Sequence, residues 1–267
     1  MKTPKAWNQI LDVIEKQATI ILEILDARDP EGTRCIELEE YVKQNCVGKQ
    51  LFLVLNKADL VPDEILHAWV AYYKDLGFTC FYVSALRKNG IQFLMSQIIR
   101  YTDRDQVNKI LVVGYPNTGK SSIITALLKE KKLARTSSEA GFTRGLQLLK
   151  IEGWNNMYLI DSPGIIPINE ENNELSLALK AAIKISKIKD PESVFEEIYR
   201  RATPEKLKQL YGIDFSDMES FVEALGRKRG RLKKGNQVNE HAVWMIVIRD
   251  WQRNFISFYN VPPTYHC

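Results

Sequence analysis

The feature that most constrains the fold is a short segment that contains two glycines, Gly114-Tyr-Pro-Asn-Thr-Gly-Lys-Ser121. It fits the pattern G-x-x-x-x-G-K-(S/T), in which the glycines let the backbone wrap a chain of phosphates and the lysine reaches the terminal ones. The segment follows the apolar run KILVV and precedes a helix-forming stretch that opens at Ser121. This is the strand-loop-helix context that the pattern requires, so the sequence predicts a phosphate-binding loop at the end of a buried strand.

Strand-like and helix-like segments alternate on both sides of this loop. The runs ATIILEILDARDP, LFLVLNKADLVP and CFYVSAL are apolar and end in turn residues, which is typical of buried parallel strands. Apolar residues recur at helical spacing between them, and GLQLLKIEG and MYLID read as two further strands after the loop. The pattern predicts an α/β fold with an open, mostly parallel sheet and helices on both faces.

The character of the chain changes after about residue 168, where the polar stretch INEENNE leads into segments with helix start signals. Asp-Pro at 190–191 and Thr-Pro at 203–204 are a cap residue followed by proline, and Ser216 with Glu219 forms a capping-box pattern. A final helix is expected from about residue 239 to 255. We therefore expect two domains, an α/β domain over residues 1–170 and a small all-α domain over residues 171–267.

The phosphate loop has two companions that suit a nucleotide with magnesium. The strand LIDSPG would deliver Asp161 to the Mg²⁺ shell and Gly164 to the γ-phosphate, while EAGFTRG offers Thr143 for both. The Ser121 hydroxyl would bind the same ion, and the Lys120 ammonium would reach the β- and γ-phosphates. The candidate phosphate-side ligands are Asn117, Thr118, Gly119, Lys120, Ser121, Ser122, Thr143 and Gly164, with Ser121, Thr143 and Asp161 as magnesium ligands.

A base-recognition motif, Asn56-Lys-Ala-Asp59, ends the strand LFLVLNKADL. The Asp59 carboxylate can accept from the ring N–H and the exocyclic amine of guanine together, a pair of donors that adenine lacks. Asn56 would tie the base loop to the phosphate loop, and the stem of Lys57 would lie over the ring. The segment VSAL would place the backbone amides of Ser84 and Ala85 at the guanine carbonyl oxygen. These residues predict binding of GTP and GDP.

The order of the motifs is unusual, because both base elements precede the phosphate loop. A Ras-like sheet accommodates this order if the N-terminal half of the chain occupies the place of the usual C-terminal half. The helix at 90–101 and the connector DRDQVN would then join the ordinary ends, which lie close together in such domains. The sequence thus predicts a P-loop NTPase of Ras-like topology that is circularly permuted.

The set DARDP, NKAD, SAL, GYPNTGKS, GFTRG and DSPG resembles the circularly permuted GTPases of the YlqF/YawG (RbgA-like) family over the first 165 residues. The C-terminal part is similar to the helical RNA-binding domain of that family. The resemblance implies a GTPase that acts as a nucleotide switch in assembly of the large ribosomal subunit. The alternative is a GTP-gated switch for another RNA or protein. An RNA-modifying GTPase is disfavoured, because no cysteine motif or cofactor-binding segment is evident.

The residues around the γ-phosphate favour slow hydrolysis. Ras-like enzymes orient the attacking water with a glutamine at the position of Ile165, whose side chain cannot polarise water. The remaining candidates for catalysis are Lys120, Thr143 and Gly164. Asn117 matches an asparagine that helps to coordinate K⁺ in related GTPases, or it only stabilises the loop turn. No histidine precedes His67, so the catalytic histidine of bacterial relatives has no counterpart, and the ion, the backbone or the ribosome must activate the water.

Charge distribution points to a second ligand. The net charge is only +4, but six cations without an intervening acid follow Gly226, which predicts contacts with rRNA phosphates. Nearby aromatic residues, Trp244, Trp251, Phe255 and Phe258, are expected in the core. The start of the chain lacks a signal peptide and no window is apolar enough for a membrane span, so we expect a cytoplasmic monomer with no membrane or DNA partner. The six cations are Arg227, Lys228, Arg229, Arg231, Lys233 and Lys234.

Overall fold

The computed structural model describes residues 4–129, 146–151, 153–154, 156–167, 173–263 and 265. The chain divides into two compact units, Met1–Asn169 together with Tyr259–Cys267, and Glu170–Phe258. The prediction assigned all of residues 171–267 to the helical domain, and the structure differs from it at the C-terminus. None of the helices that the structure describes has the length and apolar character that a membrane crossing needs.

Within the part of the first unit that the structure describes, six strands form one sheet: β1 (Ile20–Asp26), β2 (Gln50–Asn56), β3 (Thr79–Tyr82), β4 (Asn108–Val113), β5 (Gln147–Lys150) and β6 (Met157–Asp161). Their order across the sheet is β3-β2-β1-β4-β6-β5, and every neighbouring pair is parallel except β5 and β6. Strand β4, which leads into the phosphate loop, therefore lies at the centre, with the strands of the base motifs on one side. This is a Ras-like sheet whose second half comes first in the chain, as the sequence predicts.

Helices cover both faces of this sheet: α1 (Pro4–Lys16), α2 (Pro30–Thr33), α3 (Ile36–Asn45), α4 (Asp63–Asp75), α5 (Ile91–Arg100) and α6 (Lys120–Lys129). Strand residues alternate between the faces, so Leu22 and Ile24 pack with α5 and α6, while Ile21 packs with α1 and α3. The central strands β1 and β4 are buried on both faces, which explains their continuous apolar runs.

The C-terminal segment belongs to the first unit because its backbone and side chains bond there. The Asn260 N–H donates to the Arg28 carbonyl oxygen at 2.7 Å, and Asn260 Nδ2 donates to Asp29 Oδ1 at 2.8 Å. The Asn260 carbonyl oxygen accepts from Trp69 Nε1 at 3.1 Å, and Tyr259 and Tyr265 pack on the apolar cluster around that indole. The segment carries no local sequence pattern that would reveal these partners, which lie some 190 to 230 positions earlier in the chain.

The described residues of the second unit form five α-helices: α7 (Glu174–Leu179), α8 (Pro191–Arg201), α9 (Pro204–Tyr211), α10 (Met218–Lys228) and α11 (Glu240–Gln252). They share one apolar core, in which Trp251 is only 3% exposed. The capping box of α10 uses Asp217 and Ser220, one residue beyond the predicted pair, because the aspartate rather than Ser216 occupies the cap position. Helix α11 ends at Gln252, so Phe255 lies beyond it and is 61% exposed. The prediction that Phe255 belongs to the core is wrong.

Candidate nucleotide-binding site

The phosphate loop connects β4 to α6 and depends on two glycines with positive φ. Gly114 has φ 139°, and a Cβ there would lie 2.3 Å from the Ile24 carbonyl oxygen. Gly119 has φ 97°, and its Cβ would lie 2.2 Å from Asn56 Nδ2. The Lys120 ammonium donates to the carbonyl oxygens of Gly114 and Tyr115 at 2.9 and 2.6 Å. The lysine side chain is thus folded into the loop that would cradle the phosphates.

Asn56 links three motifs through one carboxamide. Its Nδ2 donates to the Thr118 carbonyl oxygen of the phosphate loop at 2.9 Å, and its Oδ1 accepts from the Ala85 N–H at 3.1 Å. The residue is 3% exposed, so these bonds are shielded from water. The structure therefore brings the NKAD, GYPNTGKS and SAL motifs to one point at the carboxyl ends of the strands, where open α/β sheets bind ligands.

The carboxylate of Asp59 is held from the side by Ser84, whose Oγ donates to Asp59 Oδ1 at 2.5 Å. Sequence reasoning assigned Ser84 only a backbone contact with guanine. In the structure the Ser84 N–H instead donates to the Asn89 carbonyl oxygen at 3.0 Å, and the Ala85 N–H is engaged by Asn56. Both amides therefore have protein partners, in contrast to the predicted contacts with the guanine carbonyl. The hydroxyl of Ser84 is the group that orients the Asp59 carboxylate.

A buried ion cluster beneath the base loop was missed from the sequence. Asp26, at the end of β1, pairs in register with Asn56 on β2. Its carboxylate accepts from Arg28 Nε and Nη2 at 3.0 and 2.7 Å and from Lys57 Nζ at 2.7 Å. Lys57 itself has a left-handed backbone, with φ 65°. The DARDP motif was the available signal, but nothing in its local pattern indicates that its first residue bonds to the NKAD lysine.

The pKa values in this cluster follow from burial and charge. Burial alone would raise the pKa of Asp26, but the cations of Arg28 and Lys57 outweigh it and hold that pKa below its usual range. Burial lowers the pKa of Lys57, and the Asp26 carboxylate opposes the shift. Asp26 therefore stays ionised and fixes the Lys57 ammonium at the inner end of a stem that is predicted to lie over the base.

The magnesium side of the site is formed by the end of β6 and the start of α6. Asp161 is half-buried, and burial raises its pKa while Lys120 opposes the shift. Ser121 is exposed in the first turn of α6, as is Ser122. A hydroxyl and a carboxylate, completed by phosphate oxygens and water, are the oxygen donors that Mg²⁺ prefers, so the residues fit this ion. Among the described residues, no three His, Cys, Asp or Glu side chains converge as a protein-only metal site.

The DSPG turn packs directly on the phosphate loop. A Cβ at Gly164 would lie 2.7 Å from Pro116 Cα, and the Ile165 N–H donates to the Gly114 carbonyl oxygen at 2.9 Å. Ile165 is 2% exposed, so its side chain is core rather than a water-facing group. Thr143 and its flanking glycines, Gly141 and Gly145, lie outside the described residues.

The six cations of the basic run lie in the second unit and are all exposed. Arg227 and Lys228 belong to the last turn of α10, where Arg227 pairs with Glu223 at 2.5 Å and Lys228 Nζ donates to the Gly212 carbonyl oxygen at 2.6 Å. Arg229 is the C-cap residue of α10 and Arg231 follows it, while Lys233 and Lys234 lie in a turn closed by an isolated bridge between Leu232 and Val238. The structure thus presents the six cations on a turn and the helix end before it.

Comparison with known proteins identifies similar chains over both units. A family model described as 50S ribosome-binding GTPase matches residues 109–210. Nucleolar GTP-binding protein 2 of Candida glabrata is 35% identical over 98% of this chain and 53% of its own length, and that of Saccharomyces cerevisiae is 34% identical over 98% and 54%. The chain therefore spans about half the length of these curated relatives.

Two solved structures are similar along almost the whole chain. YlqF in its GDP-bound form has 26% identity and a TM-score of 0.66, covering 94% of this chain and 98% of that one. GNP-bound YlqF from T. maritima has 26% identity and a TM-score of 0.65, covering 95% and 97%. At this coverage the similarity extends over both compact units of this chain.

The comparisons contradict the expected cytoplasmic localisation and support the predicted fold. Cytoplasmic residence is contradicted, because the curated relatives are named as nucleolar proteins. The permuted motif order, the sheet order and the similarity to YlqF all support the predicted circularly permuted GTPase fold. The chain has the fold and the permuted motif order of a circularly permuted GTPase, and it is similar to YlqF and to nucleolar GTP-binding protein 2.

Proposed function

We propose that the chain binds GTP with Mg²⁺, hydrolyses it to GDP and phosphate, and acts as a nucleotide switch in assembly of the large ribosomal subunit. The observation that supports this best is the Asn56 carboxamide, which bonds to Thr118 in the phosphate loop and to Ala85 in the SAL loop. One side chain thereby sets the distance between the base-reading and phosphate-reading loops. A site with both loops fixed is suited to a guanine nucleotide and not to phosphate alone.

The roles of the residues follow from their positions. Asp59, oriented by Ser84, reads the guanine edge, and Lys57 lies against the ring. Lys120 reaches the β- and γ-phosphates, while Ser122 and the amides of the loop bind the remaining phosphate oxygens. Ser121, Asp161 and Thr143 would hold a magnesium ion, which would supply positive charge to the phosphates. Gly164 donates its N–H toward the γ-phosphate.

Hydrolysis is slow without a partner in this proposal, because the buried Ile165 cannot orient water. Asn117, exposed in the phosphate loop with φ 63°, offers its carboxamide oxygen to a K⁺ ion beside the phosphates. Such an ion supplies the positive charge that an arginine finger supplies in other GTPases. The ribosomal particle is the proposed stimulating partner, and the chain acts as a monomer.

The RNA contact in this proposal is the basic run of residues 227–234. Its six exposed cations bind rRNA phosphates and release counterions, so affinity falls steeply with salt and carries little sequence information. The description of the matching family model, 50S ribosome-binding GTPase, favours rRNA over another RNA. The alternative function is a GTP-gated switch for an RNA or protein unrelated to the ribosome.

Co-sedimentation tests this proposal. The protein with GDP, or with a non-hydrolysable GTP analogue, is pelleted with purified large-subunit precursors and with small subunits as control particles. We expect association with the large-subunit particles in the GTP-analogue state and weaker association with GDP. Asp59→Asn should respond to xanthosine nucleotides in place of guanosine nucleotides, because the amide replaces one carboxylate acceptor with an N–H donor that the additional carbonyl of xanthine can accept. Equal pelleting in every state, or with both particles, would leave only the alternative.

A further inference from the structure

The second unit carries a groove that the nucleotide and RNA proposals do not use. Its volume is about 520 Å³, and it lies between the first two turns of α8, the first two turns of α10 and the start of α11. All of its lining residues belong to the helical unit. The groove combines an apolar floor with an acidic rim, and these two properties together define the class of ligand.

The floor is formed by side chains that are anchored in the helical core. Phe195 is 1% exposed and stacks on Trp244, with 6.4 Å between ring centroids and 27° between planes. Val222 and Val238 close the floor, and Met218 lines its end. Trp244 is only half-buried, so one part of the indole packs on Phe195 and the rest faces the groove. An indole in this position offers both apolar area and a π face for a cation.

The rim is formed by five exposed glutamates and contains no lysine or arginine. Glu223 pairs with Arg227, whereas the other four make no ion pair with any residue that the structure describes. The rim therefore concentrates uncompensated negative charge around an apolar surface. The five residues are Glu192, Glu196, Glu219, Glu223 and Glu240.

Helix stability explains only part of this charge. Glu192, Glu219 and Glu240 lie in first helical turns, where a carboxylate is stabilised by the helix dipole. Glu196 and Glu223 lie one turn further along, where that effect has faded. The groove differs from ordinary helix ends because three helix starts converge on the same apolar floor. Acids at three separate helix ends would not surround one apolar surface.

We propose that this groove is a docking surface for a lysine- and arginine-rich segment of a partner protein. An aromatic or large aliphatic side chain of the segment lies on the floor against Trp244, and its cations pair with the glutamates on both sides. RNA is a poor occupant, because its phosphates would meet four unpaired carboxylates. The proposal goes beyond the nucleotide switch, since it gives the helical unit a protein-binding surface in addition to the basic run at residues 227–234.

Fluorescence anisotropy with a synthetic peptide tests the proposal. The probe is a short fluorescein-labelled peptide rich in arginine with one central tryptophan, and the control probe carries glutamate in place of arginine. The double variant Glu192→Lys with Glu196→Lys should bind the basic peptide at least about tenfold more weakly. The matched control is Glu205→Lys, which is also an exposed first-turn glutamate, on α9, but does not line the groove. It should bind like the unmodified protein.

Two further variants separate the contributions of charge and floor. Glu196→Gln keeps the size of the side chain and should weaken the peptide by an intermediate factor that shrinks as salt is raised. Trp244→Ala should weaken it at high salt as well, and thermal unfolding shows whether the helical unit remains folded. Equal affinity of the Glu192/Glu196 and Glu205 variants would overturn the proposal. The proposal would also be overturned if neutralising these glutamates altered the binding of single-stranded RNA and left the affinity for the peptide unchanged.

Discussion

The carboxamide nitrogen of Asn56 donates a hydrogen bond to the Thr118 carbonyl oxygen at 2.9 Å, across 62 positions of the sequence. In this chain the base loop precedes the phosphate loop, so the bond runs from an early element to a later one. The two loops nevertheless lie side by side. The base loop follows β2 and the phosphate loop follows β4, and both strands are neighbours of β1 in the sheet. Permutation has changed the order of the two loops along the chain and has left them adjacent in the fold.

Replacing Asn56 with Ala should separate the two loops. The buried Ala85 N–H and Thr118 carbonyl would lose their partner, which costs about 1–3 kcal/mol of stability. Most of the variant should remain folded, so the loss of stability alone would hardly change its affinity for a fluorescent GDP analogue. We expect a larger fall in this affinity, because the two loops are no longer held together. Asn45→Ala is the control, since its amide bonds only to an exposed carbonyl on α3. Equal GDP affinity in the two variants would contradict the role of Asn56.

Replacing Gly119 with Ala should have two separable effects. The left-handed backbone at φ 97° strains any L side chain, and the new Cβ would lie 2.2 Å from Asn56 Nδ2. Gly48→Ala isolates the first effect, because its φ is 85° and no atom lies within 4 Å of the added Cβ. The control should cost roughly 1–2 kcal/mol in urea unfolding and leave GDP binding unchanged. Gly119→Ala should cost more and abolish GDP binding, and similar results for both would argue against the contact with Asn56.

Replacing Asp26 with Asn should destabilise the protein in a manner that depends on pH. The variant removes the carboxylate that pairs with Arg28 and Lys57 in a buried cluster, which costs about 3 kcal/mol at neutral pH. Because the folded-state pKa of Asp26 is depressed, its stabilisation is complete above the unfolded-state pKa of about 3.9 and is lost as pH falls toward the folded-state value. Urea unfolding should therefore show a difference from the unmodified protein that narrows below about pH 4.

The control for Asp26 is Asp12→Asn, which removes an exposed partner of Lys16 on α1. Its urea midpoint should change little at neutral pH, because exposed ion pairs contribute little to stability. A constant difference between Asp26→Asn and the unmodified protein at all pH values would show that the carboxylate is not the group that titrates.

Replacing Ser84 with Ala should weaken base recognition and leave phosphate binding intact. The Asp59 carboxylate would lose its hydrogen bond from Ser84 Oγ and adopt other rotamers, so the bidentate contact with guanine would be less pre-organised. We expect about tenfold lower affinity for GDP, and a smaller loss for IDP, which lacks the exocyclic amine. Ser96→Ala removes a similar hydroxyl that bonds to a carbonyl within α5, and it should change neither nucleotide. Equal losses for GDP and IDP would contradict the orienting role.

Local sequence patterns predicted much of the fold and the site, and long-range contacts account for the rest. The strands and the phosphate loop follow from apolar runs and from residue types that one segment supplies by itself. The tie between Asn56 and the phosphate loop was also predictable, because its residue type belongs to a motif with one known geometry. The pairing of Asp26 with Lys57 was not, since it joins residues 31 positions apart that only the register of β1 and β2 brings together.

The C-terminal region shows the same limit more strongly. The stripe that includes Trp251 predicted a helix and a buried indole, but the pattern could not show where the helix ends, and Phe255 is exposed. Asn260 lies in a segment without periodicity, and its partners Trp69 and Arg28 belong to another compact unit than the helix before it. The prediction placed this segment in the helical domain because it follows that domain in the sequence. Neighbouring positions in the sequence do not determine which residues are in contact.

Replacing K⁺ with Na⁺ should slow GTP hydrolysis if Asn117 holds a monovalent cation beside the phosphates. Na⁺ is smaller and more strongly hydrated, so a site of carboxamide and phosphate oxygens spaced for K⁺ would bind it poorly. Asn117→Gly is the informative variant, because glycine tolerates the residue's φ of 63° and removes only the carboxamide. We expect this variant to hydrolyse GTP slowly in both salts while it still binds GDP. Single-turnover assays with and without ribosomal particles measure both rates. If the unmodified protein is equally fast in K⁺ and Na⁺, the asparagine only stabilises the loop, and the positive charge at the γ-phosphate must come from Lys120, magnesium or the particle.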